Sequence, residues 1–71
     1  MERLEQLDTD RLRQICHDLR TPLNTILGWT HVLRNSNPSK ESLTEGLEAI
    51  ERNARDQAKI IEEFLRSFSD Q

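Results

Sequence analysis

The sequence is poor in the residues that build sheets, long ordered loops and cross-links. Two glycines, two prolines and three aromatic side chains in 71 residues argue against a β-rich fold. No glycine-rich nucleotide loop or lid follows residue 38. The single Cys16 excludes an internal disulfide and a cysteine-based metal site, so no metal is expected. The longest apolar run is far shorter than a membrane span, and no signal-peptide pattern occurs. A cytoplasmic segment without membrane contact is expected. A net charge of −3 gives no electrostatic footprint for nucleic acid.

What remains is helical. Charged residues make up 32% of the chain and are well mixed, which suits solvated helix faces. Hydrophobic content of 34% in so short a chain is too little for a comfortable single core. The chain is therefore expected to need a partner.

From residue 10 a heptad pattern sets in. Leu12, Leu19, Ile26 and Leu33 recur at one position, with Ile15, Pro22 and Trp29 at a second and Cys16, Leu23 and Thr30 at a third. The stripe is wider than a two-stranded seam and fits a helix with neighbours on two sides. His17, Asn24 and His31 then fall on the outermost face, where a group that must meet other protein domains has to be. Trp29 and Cys16 are expected as packing residues, Cys16 semi-buried. His31 is expected as a surface histidine, since fourteen residues of helix put it roughly 21 Å from His17, too far for a shared metal.

Residues 1–9 read as a helical lead-in or linker, and the spacing predicts a first helix over about 10–35. Asn35-Ser36-Asn37-Pro38-Ser39 is the clear break, a turn over 35–38. Asn37 is a plausible N-cap for the next helix, with Ser36 and Ser39 as alternatives. A second helix is expected over about 38–68, within a domain spanning 10–68, followed by a frayed tail at 69–71. Its apolar stripe reads Leu43, Leu47, Ile50, Ala54, Gln57, Ile61, Phe64 and Phe68. Gln57, the polar member, is either a partly exposed layer or a register-setting contact. Gly46 lies off that stripe, at a cost of ~1 kcal/mol against alanine. The short connection makes the helices antiparallel. One such hairpin cannot cover its own apolar face, so the expected fold is all-α, an antiparallel helical hairpin that dimerises into a four-helix bundle.

The chemistry-bearing stretch is His17-Asp18-Leu19-Arg20-Thr21-Pro22-Leu23. His17 and Thr21 lie one turn apart on one helix face. Asp18 is the neighbour of His17, close enough to orient the imidazole from one side. Pro22 has no N–H for the Asp18 carbonyl, so the helix should bend beneath the histidine, with Pro22 as hinge.

This stretch, followed by Asn24 and Ile26-Leu27-Gly28-Trp29, resembles the H-box of bacterial sensor histidine kinases of two-component systems. Glu48-Ala49-Ile50-Glu51-Arg52-Asn53-Ala54 and Ile60-Ile61-Glu62-Glu63-Phe64-Leu65 look like the second helix of their dimerisation and histidine-phosphotransfer domain. The resemblance implies that His17 is the phosphoacceptor, taking the γ-phosphoryl group of ATP from a separate ATP-binding catalytic domain. It implies passage of that group to an aspartate on a response-regulator receiver domain, which brings its own Mg²⁺. Asp18 would then hold the second ring nitrogen as general base and orienter. By analogy with members bearing an acidic residue followed three positions later by Thr or Asn, Thr21 would position water for phosphatase action on the regulator. Arg20 and Asn24 flank the site as partner-contacting residues. Without an ATP-binding domain, the chain is expected to be an inactive fragment of a histidine protein kinase, with no cofactor of its own. A standalone dimeric phosphotransfer protein and a non-catalytic coiled-coil adaptor are the alternative readings.

Overall fold

A computed structural model describes the backbone of residues 2–69 and the side chains of residues 9–67. Two helices account for it: α1, Glu2–Asn35, and α2, Lys40–Ser69. The helical backbone runs without interruption from the lead-in through Pro22 to Asn35. The side chains of Leu4, Leu7 and Phe68, and the tail residues Asp70 and Gln71, lie outside the described residues.

Side chains at the turn close both helix ends. Asn35 Nδ2 donates to the His31 carbonyl at 2.9 Å and lies 3.1 Å from its Nδ1. The Ser36 N–H reaches the Val32 carbonyl at 3.1 Å, which satisfies the first of the orphan acceptors at the end of α1. The N-cap of α2 is Ser39, not Asn37. Ser39 Oγ accepts the Ser42 N–H at 3.1 Å and the Ser39 carbonyl accepts from Leu43 at 2.9 Å. Asn37 precedes a proline, which biases it towards extended backbone, and Pro38 itself leads into the cap.

The two helices pack along one seam. From α1 it takes Ile15, Leu19, Pro22, Ile26, Trp29 and Leu33. From α2 it takes Gly46, Ala49, Ile50, Asn53, Gln57, Ile60 and Phe64. The expected α2 stripe is thus corrected by about one residue. Ile50, Gln57 and Phe64 face α1, whereas Leu43, Leu47 and Ile61 are 41%, 54% and 42% exposed and Ala54 is exposed too. The reason is steric. A Cβ on Gly46 would stand 2.8 Å from Trp29 Cε3 and 2.9 Å from Leu33 Cδ1. The indole needs the smallest residue opposite it, so α2 turns Gly46 and Ala49 inward and its leucines outward.

The result is a slab 56 × 20 × 10 Å, one helix thick. Pro22, Gly46 and Ala49 are the residues buried among those described. The accessible surface of 6171 Å² exceeds the roughly 4,600 Å² expected of a compact chain of this mass. Much of the apolar material has no cover within the hairpin, including Leu12, Leu23, Leu27, Val32, Leu43, Leu47, Ile61 and Leu65.

Candidate functional site

The motif residues are divided among three grooves, and α1 decides which. His17 is exposed and borders a groove with Thr9, Leu12, Arg13, Cys16 and Arg20, all of α1. Arg13 lies one turn before the imidazole and Arg20 one turn after it, both on the histidine's side of the helix. Two arginine side chains thus border the same groove as the imidazole, one on either side of it along α1. The sequence reading named Arg20 and missed Arg13. Its signal was the four-residue spacing to His17. Cys16 is exposed here and not semi-buried, because it lies roughly 90° around α1 from the Ile15, Leu19 and Pro22 side that packs on α2.

Asp18 faces another way. Its Oδ1 accepts from Gln14 Nε2 at 2.9 Å, and the carboxylate borders the groove between the helices with Arg11, Glu63 and Phe64. Consecutive residues on a helix point about 100° apart, and that angle separates imidazole from carboxylate in this conformation.

Thr21 is exposed on the third groove, shared with Pro22 and with Asn53, Asp56, Lys59 and Glu63 of α2. Its carbonyl accepts from Thr25 Oγ1 at 3.1 Å, a side-chain bond of the kind that bends helices, placed next to the proline. Pro22 is buried against α2, and Asn24 is exposed on the outer face. His31 is exposed and engaged by Asn35, far from the motif. Trp29 is half-buried against Gly46, in packing.

Gln57 was left open by the sequence. Its Nε2 donates to the Leu19 carbonyl at 3.1 Å, a part-buried bond between the helices two residues beyond His17. No group of three or more metal-ligating side chains occurs among the described residues. No helix among them is long and apolar enough to cross a membrane.

Comparison with known proteins gives a consistent answer. The His Kinase A (phospho-acceptor) domain family matches residues 8–69, most of the chain. The sensor histidine kinase GacS of Pseudomonas protegens is 37% identical in a 70-residue alignment that covers 92% of this chain and 8% of that protein. The sensor protein GacS of Pseudomonas syringae pv. syringae is 36% identical over 70 residues, with the same coverage. The chain thus spans about a twelfth of the length of these relatives. No solved structure matches.

Proposed function

The chain belongs to the His Kinase A (phospho-acceptor) domain family, and from that premise we propose that it carries phosphoryl groups on His17 within a homodimeric signalling kinase. The observation that carries this reading is the placement of His17. It is exposed on the outer face of α1 and stands between Arg13 and Arg20.

A neutral ring nitrogen attacks the γ-phosphorus of ATP held by a separate domain. An N–P bond forms, the P–O bond to ADP breaks, and the proton on the other ring nitrogen passes to Asp18 or solvent. Arg13 and Arg20 offset the charge on the transferring group. In the next step a receiver-domain aspartate attacks the phosphorus, the N–P bond breaks and an acyl phosphate forms, with Mg²⁺ supplied by the regulator. Thr21 then orients water for hydrolysis of that acyl phosphate. This chain's part is to present the histidine and the docking face.

Dimerisation completes the fold. A second hairpin laid on the exposed leucines supplies the layer that the slab lacks. The excess surface of about 1,600 Å² is ample for a standard interface of ~800 Å² per partner. We place this domain in the cytoplasm, where ATP and regulators are found.

The test supplies the chain with the ATP-binding domain of a sensor histidine kinase and γ-labelled ATP. Acid-labile label is expected on the chain, lost in His17→Gln and kept in His31→Gln. Label on His31, or label that survives His17→Gln, overturns the assignment. Label accepted from a phosphorylated regulator but not from ATP would instead favour a standalone phosphotransfer protein.

A further inference from the structure

Gln57 is the amide in an otherwise mainly apolar stretch of the α2 seam below Asn53, and its partner is main chain rather than side chain. Leu19 lies three residues before Pro22, on the same side of that proline as His17. The Gln57 bond therefore ties the His17-bearing part of α1 to α2 immediately above the position where α1 lacks a backbone bond. If that part of α1 shifts along or away from α2, this bond is one polar link that has to break.

The grooves show which reaction such a shift affects. The His17 groove is lined by α1 alone, so moving α1 against α2 leaves its internal geometry intact. The Thr21 groove is built from both helices, with Asn53, Asp56 and Lys59 of α2 opposite Thr21 and Pro22. Its shape depends on how α1 sits on α2, and Gln57 fixes that one turn away from Asn53. A water held by Thr21 against a docked regulator tolerates little displacement, because productive attack needs close alignment.

We infer that Gln57 is a positioning residue for the regulator-directed reaction: its bond to the Leu19 carbonyl fixes the two-helix groove around Thr21, and so sets the ratio of dephosphorylation to His17 phosphorylation. The inference rests on the function proposed above and assigns regulation of that same site to a residue on the other helix.

Gln57→Met keeps length and volume but removes the donor. It strands no acceptor, since a helical Leu19 carbonyl faces the N–H of Leu23, which is not a proline. The hairpin should therefore stay folded. Loss of one hydrogen bond of ordinary net strength shifts the balance of positions about three- to tenfold. With the ATP-binding domain and a receiver domain supplied, dephosphorylation of the regulator is expected to fall about three- to tenfold relative to labelling of His17. A purely structural role would lower both rates together. In a Pro22→Ala background, where α1 has its full set of backbone bonds, the same substitution should change the ratio less than about twofold, a non-additivity that marks action through the missing backbone bond at Pro22.

An unchanged ratio in folded Gln57→Met, or an equal fall in both rates, overturns the inference. Failure of the unsubstituted chain to take label on His17 overturns the proposed function itself, and is read in a separate lane. Should Gln57→Met not fold, the unsubstituted chain still decides. Its Gln57 side-chain amide should exchange hydrogen measurably more slowly than that of exposed Asn24, and equal exchange removes the bond and the inference with it.

Discussion

An alanine at position 46 tests the helix seam. Helix propensity alone favours Gly46→Ala by ~1 kcal/mol. The structure gives the opposite sign. The new Cβ would meet Trp29 Cε3 at 2.8 Å and the Leu33 methyl carbons at 2.9 and 3.2 Å. The leucine methyls can rotate away, but Cε3 belongs to a rigid ring, and clearing it means tilting the indole or parting the helices. Overpacking of this kind costs about 1–3 kcal/mol, so the net effect is a loss of roughly 1 kcal/mol. In a domain this small that lowers Tm by about 4–8 °C. Gly28 is the internal control, because a Cβ there meets nothing within 4 Å inside the hairpin. Gly28→Ala should gain the full propensity term and raise Tm by a similar amount. The assay is thermal melting followed by circular dichroism at 222 nm, at one fixed protein concentration because the folded state is proposed to be a dimer. If both substitutions raise Tm alike, Trp29 does not pack on residue 46 and the seam is misplaced.

The remaining expectations concern the motif and the dimer. Asp18→Asn tests whether the carboxylate leaves Gln14 to serve the imidazole: a general-base role slows labelling of His17 by ~10²–10⁴ in a time course of label incorporation, whereas a carboxylate that stays in the interhelical groove leaves it unchanged. Thr21→Ala should leave that labelling largely intact while depressing regulator dephosphorylation. Equal impairment of both reactions by both substitutions would show that the two residues do not divide the work. Ile61→Asp puts a charge on the exposed apolar face that a second copy would cover, so sedimentation at micromolar concentration should show dissociation coupled to unfolding. A stable folded monomer of the unsubstituted chain under those conditions would remove the bundle.

The residue pattern by itself determined the local elements of this protein. Heptad spacing made α1 a helix and put His17 on its outer face, while the Asn37-Pro38-Ser39 break made the chain a hairpin. These follow from periodicity and turn chemistry, which act over a few residues. The motif around His17 was equally legible, because its members are neighbours in the chain. Tertiary structure decided what pairing decides. An apolar stripe wide enough for two neighbours does not say which edge meets α1. That choice fell to Gly46 and Ala49 over Leu43 and Leu47, because the Trp29 indole admits only a small residue across the seam. The partner of Gln57 is a backbone carbonyl 38 residues away, which no spacing reveals. The carboxylate of Asp18 lies with Gln14 in the interhelical groove rather than beside the imidazole, because adjacent side chains on a helix diverge. Short-range order is written along the chain, whereas size complementarity across a seam exists only once two helices meet.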